Sequence, residues 1–475
     1  MEEKNIKLEK KLSPVNVLAL AFGCIIGWGA FVMPGNTFLP KAGPMGTAIG
    51  MGIAIVIMIV ITFNYYYMIN KFPVAGGGFT YAQKAFGKKH GFVCAWFLSL
   101  SYAALVPMNA TALALIGRNL LGSFFQKGFH YVIAGYDVYL GEILLAVAAI
   151  VLFAVLSIRG VKFAGSFQVL LTGALVLGVV VIAAAVFSPK ATLSNIEPDF
   201  APGTSALSGI AAVLAVAPWA FVGFDTVPQS AEEFKFSPQK TKLIMVISIL
   251  FGGLVYVILN TVTASVVPSR YSNWTAYIQD MENISGLESL PTFNAAYELL
   301  GNVGLFFLGI AVLGAILSGI VGFYMATSRL LYSMSKENVI PAWFGKLDNK
   351  HKTPANAIFA LMCVSLLAPF FGRTALGWLV DMSSLGAAIG YAYTSAAAFK
   401  YAKQANNKKI MATGLVGTII AIIFSGLLLV PIRGLDCSLG KESYICLVAW
   451  IAIGAYFYYK SKSQHQQNFT EFSSQ

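Results

Sequence analysis

An apolar run that begins near Val15 carries Gly27 and Gly29 two residues apart, with Pro34 shortly after, in the stretch Gly23-Cys24-Ile25-Ile26-Gly27-Trp28-Gly29-Ala30-Phe31-Val32-Met33-Pro34. About 20 apolar residues suffice for a helix to cross a bilayer, and this run has that length. Glycine weakens a helix, and proline removes a backbone donor and crowds the preceding turn. In hydrocarbon each unpaired N–H or C=O costs several kcal/mol, so backbone opens at that depth only against protein or a wet cavity. An opened helix presents N–H groups to an anion and loose carbonyls to a cation, the two partners a zwitterion needs. The competing reading is a small-residue packing seam between helices. This stretch alone does not separate the two.

Composition places the rest of the chain in the same environment. Of 475 residues, 57% are hydrophobic and only 11% charged, and the mean hydropathy is +0.72. Apolar runs of helix length recur from end to end and read as twelve spans, which puts both termini on one side. Of the 32 Lys and Arg, 24 fall on that side and eight opposite. This bias marks the terminal side as cytoplasmic and accounts for the net charge of +12 without a nucleic-acid partner. The localisation expected is the cell membrane, multi-pass, and no removable signal peptide is read at the charged N-terminus. The five cysteines are scattered, with no metal-ligand spacing; a Cys437–Cys446 bridge has no pattern to support it.

Taken in order, residues 1–13 form a charged lead and 14–187 a first set of five spans. Residues 206–402 form a second set of five, 409–460 a peripheral pair, and 461–475 a tail. After the second span, Pro73-Val74-Ala75-Gly76-Gly77-Gly78 reads as a turn followed by a short helix along the inner face. The third span carries Pro107 and Asn109, and the acidic outer loop 268–301 reads as a lid or a solvated loop. The sixth span contains Pro218-Trp219-Ala220-Phe221-Val222-Gly223-Phe224-Asp225-Thr226-Val227-Pro228, a second glycine–proline interruption with a carboxylate beside it. Five spans, an odd number, separate Gly27 from Gly223. The second half is therefore inverted relative to the first, and the first helix of each half is broken. That pattern points to a site between the two breaks.

Four motifs, in order, resemble the amino acid–polyamine–organocation (APC) superfamily of secondary transporters. They are Ile26-Gly27-Trp28-Gly29, Pro73-Val74-Ala75-Gly76-Gly77 with Tyr81 and Gly87, Phe221-Val222-Gly223-Phe224-Asp225 with Glu232-Glu233, and Arg329 through Pro341 with Thr353-Pro354. Trp28 departs from the Ser or Thr usual between the first two glycines. The resemblance implies an all-α integral membrane protein of twelve transmembrane helices. Its core is a 5+5 inverted repeat of the leucine-transporter type with helices 1 and 6 broken. It also implies roles. The substrate carboxylate meets backbone N–H groups of Gly27, Trp28 and Gly29. The ammonium meets carbonyls of Ile25, Trp219 and Val222. Trp219, Phe221 and Phe323 supply pocket aromatics, for which ordinary packing is the alternative.

Asp225 is a carboxylate near the bilayer midplane, which costs roughly 2.5–3.5 kcal/mol even on the mild insertion scale. It should face the cavity, pair or hold a proton; coupling carrier and structural anchor both remain open. Asp381 lies nearer the outer end, where wetting explains it. Some relatives place a lysine in mid-helix five; that position falls near Leu175, and residues 163–187 contain no lysine. A sodium ion between helices 1 and 8 would draw on Ser318 or Thr327. No catalytic or metal residue and no cofactor is expected beyond a coupling proton or sodium ion. His90, His130, His351 and His465 lie in loops, at helix ends or in the tail, and form no catalytic motif. The function expected is a permease for an amino acid, neutral by preference, working by proton-coupled symport or exchange. A cationic amino acid or polyamine carrier is the alternative, and a non-transporting nutrient sensor the remote one. The partners are the small-molecule substrate and the lipid bilayer; the oligomeric state is not legible.

Overall fold

The computed structural model describes residues 8–187, 191, 193–432 and 438–473. The first seven residues of the lead, and Cys437 with the bridge considered for it, lie outside these. The described residues build an all-helical body with one small exception. Nine helical stretches among them are long and apolar enough to cross a membrane. Two of these, Pro14–Lys71 and Ala355–Gln404, hold 58 and 50 residues. As straight helices they would run roughly 75–90 Å, against a hydrocarbon core of about 30 Å. Both are interrupted.

Helix α1 (Pro14–Ile25) starts where Ser13 and Asn16 cap each other reciprocally and Pro14 occupies the first helical position. It opens over residues 26–28 and resumes as α2 (Gly29–Met33). A wide turn, Pro34–Phe38, leads into α3 (Leu39–Lys71), itself kinked at Gly43-Pro44. The short helix expected after the second span is α4 (Gly78–Phe86). It buries Phe79, Tyr81 and Ala82 and packs on α5 (Lys88–Leu120). Next come α6 (Leu140–Ile158), α7 (Val161–Ala185) and α8 (Ala206–Ala220). The chain opens again at 221–223 and continues as the 3₁₀ segment Phe224–Glu233. After α9 (Thr241–Ser265), the outer loop carries α10 (Trp274–Gln279) and α11 (Pro291–Leu300). That loop is built rather than merely solvated: Trp274 is buried and its Nε1 donates to the Ile196 and Pro198 carbonyls, each 3.0 Å away. The long α12 (Asn302–Lys336), α13 (Ala355–Ser365), α14 (Gly372–Gln404), α15 (Lys408–Leu429) and α16 (Lys441–Ser473) complete the order.

The exception lies in a loop. His130–Ile133 and Tyr136–Tyr139 pair as an antiparallel hairpin in the loop before α6. Its two turn residues, Ala134 and Gly135, both have positive φ, the geometry that matches strand twist in a two-residue connection.

Large apolar side chains such as Val56, Leu152, Leu177, Phe251, Ile422 and Val448 point outward, while Asn64, Gln168, Asp225, Glu233, Asn260 and Arg329 are buried. A water-soluble protein cannot sustain that inversion over so much surface, whereas lipid favours it.

At the end of the bundle nearest the N-terminus, Arg329 on α12 makes a two-pronged ion pair with Glu233, at 2.9 and 3.3 Å. Both side chains are essentially inaccessible. The Glu233 carbonyl accepts from the N–H groups of Lys11 and Leu12, and Lys235 N–H donates back to the Leu12 carbonyl. The lead preceding α1 is thereby strapped across the segment that follows the second break.

Candidate functional site

The two interruptions lie against each other. Gly223 has φ 148°, and a Cβ placed on it would stand 2.6 Å from the Ile25 amide nitrogen and 2.9 Å from the Ala21 carbonyl oxygen. A Cβ on Gly29 would meet the Trp219 ring at 2.3 Å. Small residues at both breaks are thus what allow α1–α2 and α8 to touch at backbone distance. Among the described residues the N–H groups of Gly27, Trp28 and Gly29 donate to no backbone carbonyl, whereas Ala30 and Phe31 pair back to Gly27 and Trp28. The Ile25 carbonyl accepts a 3.3 Å hydrogen bond from the Tyr256 hydroxyl and keeps its second lone pair.

A cavity of about 530 Å³ opens at this junction. Ile25, Gly27, Trp28, Gly29, Trp219, Val222 and Phe323 line it, so seven of the eight substrate contacts expected from the sequence meet in one space. Phe221 does not. It caps the C-terminal end of α8, is wholly buried, and turns its ring behind the break towards Gly253 on α9. Val32, Met33, Leu105, Met108, Ala212 and Val216 make the remaining wall largely apolar. Asn109 faces the cavity beside Gly27 while its Nδ2 donates to the Leu105 carbonyl of its own helix. Towards the end away from the N-terminus the lining turns polar, with Asn36, Lys41, Arg373, Asp381 and Ser384. Sequence reasoning passed over Lys41, Arg373 and Tyr256, because a single cation or hydroxyl at a helix end carries no pattern.

Asp225 is absent from the cavity wall. Its Oδ1 accepts from the Gly223 N–H at 2.9 Å and its Oδ2 from the Tyr102 hydroxyl at 2.7 Å. Gln229 donates to that same hydroxyl at 3.4 Å. The carboxyl group is thus turned away from the cavity and held by two neutral hydrogen-bond donors. The Tyr102 ring stacks on Phe323, and Tyr65 meets Phe224 and Tyr391 edge to face in a cluster with centroids 5.3–6.2 Å apart. Of these rings, Phe323's lines the cavity. Replacing Tyr102 with phenylalanine removes the hydroxyl donor to a buried carboxylate, at an expected cost of about 1.5–3 kcal/mol. Thermal unfolding in detergent measures it, and an unchanged transition would remove Tyr102 from the anchoring of Asp225.

Between α1 and α12, the Ser318 hydroxyl donates to the Gly23 carbonyl at 3.0 Å. On the α7 side, Thr172 and Gln168 donate to the Ala19 carbonyl at 3.0 and 3.3 Å. The Gly23 and Ala19 carbonyls at this place thus each accept from side-chain donors. Thr327 is buried without a hydrogen-bond partner. Leu175 packs on Gly314 of α12; the polar side chains α7 turns towards α1 are Gln168 and Thr172. No group of three His, Cys, Asp or Glu side chains among the described residues is arranged to hold a metal ion.

Fold and site together define a multi-pass membrane protein whose cavity lies between two interrupted helices. The chain belongs to the amino acid permease family, whose model matches residues 12–455, as the four ordered motifs implied. It is 24% identical to the methylthioribose transporter of Bacillus subtilis, over 98% of this chain and 96% of that one. It is 26% identical to a branched-chain amino acid permease of Lactococcus lactis, over 79% and 78%. It is 24% identical to the arginine/ornithine antiporter of Latilactobacillus sakei, over 97% and 92%. These relatives are transporters, not enzymes, and the chain is a membrane transporter of the same family.

Proposed function

We propose that the chain is a secondary active transporter for a neutral amino acid, working by alternating access in the cell membrane with both termini cytoplasmic. One observation carries the reading. Unpaired N–H groups at Gly27–Gly29 and carbonyls at Ile25 and Val222 border an apolar cavity that has no carboxylate at its deep end. The N–H groups suit a substrate carboxylate and the carbonyls its ammonium, while the apolar walls suit an uncharged side chain. A side-chain ammonium placed there would find Asp225 already occupied by Tyr102 and Gly223. Ser318 stays a candidate sodium ligand, since a hydroxyl donating to the Gly23 carbonyl keeps both lone pairs, and with a proton as coupling ion Asp225 is the group that carries it.

This reading counts twelve spans. The stretches Pro14–Lys71 and Ala355–Gln404 each supply two, and α16 adds one to the remaining seven. The pairing of the α1 break with the α8 break supports a 5+5 inverted repeat. Uptake of radiolabelled neutral amino acids into proteoliposomes, with and without an inward proton gradient, tests the function. Saturable uptake driven by the gradient is expected. Gly29→Leu, which drives its side chain into Trp219, should lower uptake by at least about tenfold at normal insertion, the effect of about 1.4 kcal/mol on binding. Wild-type uptake in that variant would refute the siting. Absence of uptake for every neutral amino acid, with internal counter-substrate present, would refute the substrate class.

A further inference from the structure

Among the described residues, three charged side chains line the cavity: Lys41, Arg373 and Asp381. The Asp381 carboxylate accepts from the Ser443 hydroxyl at 2.9 Å and lies within electrostatic reach of Lys41. Arg373, in the first turn of α14, is half-buried and forms no ion pair among the described residues. Its guanidinium stands 5.8 Å from the centre of the Trp28 ring, and its Nη1 donates at 3.3 Å to Thr111 Oγ1 on α5. Behind it Glu142 is buried, but Arg118 takes both of that carboxylate's oxygens, at 2.7 and 2.8 Å. Among the described residues, counting Arg118, Glu142, Lys41 and Asp381 as offsetting, the guanidinium leaves one net positive charge at the cavity, beside the opened turn.

We infer that Arg373 is a specificity-determining residue that sets the charge of the side chain the cavity accepts, rejecting amino acids whose side chain is cationic. The inference rests on the amino-acid reading above. A zwitterion brings no net charge into the cavity, and its carboxylate end suits the guanidinium. Lysine or ornithine brings an additional ammonium into an enclosure of about 530 Å³, where no point is far from Arg373. Like charges brought together in a partly desolvated space cost several kcal/mol, and rejection of this kind is how a site separates ligands of one shape.

Norleucine and ornithine have side chains of the same length and differ at the end, methyl against ammonium, so their comparison isolates the charge. The measurement is stabilisation of the purified full-length protein against thermal unfolding as each is titrated. Wild type should half-saturate with norleucine at a concentration at least about tenfold below that for ornithine. Arg373→Glu should abolish or reverse that ratio, Arg373→Lys should keep it, and Arg373→Gln, a milder change should the glutamate variant not fold, should fall between. Equal half-saturation in wild type, or undiminished discrimination in Arg373→Glu or Arg373→Gln, overturns the role of Arg373 while leaving the neutral amino-acid reading intact wherever norleucine binds. Stabilisation by neither ligand in wild type or any variant overturns the amino-acid reading itself and this inference with it.

Discussion

Arg329→Leu is expected to destabilise the protein by about 3–5 kcal/mol, because it leaves the Glu233 carboxylate buried without its cation. Glu233 has no exposed side-chain surface, and both of its oxygens point at the guanidinium. Loss of the arginine also weakens the seat of the strap, since the Glu233 backbone holds Lys11 and Leu12. Unfolding in detergent should show a large drop in midpoint, with Leu12 and the start of α1 becoming accessible to protease first. Removing both charges at once, as Arg329→Leu with Glu233→Gln, should recover a substantial part of the loss, because no uncompensated ion then remains. A double variant as unstable as the single one would show that packing around Arg329, not the ion pair, holds this end of the bundle together.

Gly223→Ala should be nearly as damaging and should act on transport as well as on stability. The position has φ 148°, and an added Cβ would stand 2.6 Å from a backbone nitrogen of α1, so neither a rotamer change nor a side-chain shift relieves it. Backbone in such a region costs a non-glycine residue of order 1–3 kcal/mol, and forced overpacking adds about 1–3 kcal/mol more. Relief requires α8 and α1 to separate, which moves the Val222 and Ile25 carbonyls apart and unseats Asp225 from the Gly223 N–H. Uptake should fall by more than about tenfold even in the fraction that folds. Wild-type uptake by Gly223→Ala would mean that the two breaks need not touch for the site to form.

Much of this was legible in the residues because hydrocarbon leaves a helix so few options. Gly27, Gly29 and Gly223 announced themselves: an interruption in a membrane helix has to be turned towards protein or water, and two interruptions in corresponding helices share a site. The aromatic contacts were harder. Trp219 and Phe323 line the cavity, but Phe221 does not: two residues on from Trp219 the side chain falls on the opposite side, and its ring packs towards Gly253. The hairpin at 130–139 escaped notice because its turn, Ala134-Gly135, is a weak signal inside a short polar loop.

Residue order was enough to place this chain in a membrane, to locate the breaks in its helices and to bring out the transporter family it resembles. These follow from the cost of unpaired backbone in lipid and need no third dimension. Which side chains share the cavity was settled by the packing of the helices. Packing turned Asp225 away onto Tyr102, buried Glu233 against Arg329, and brought Arg373 from the start of α14 over the Trp28 ring. Partners for charges are chosen by contacts between helices distant in sequence, and no local pattern of residues encodes that choice.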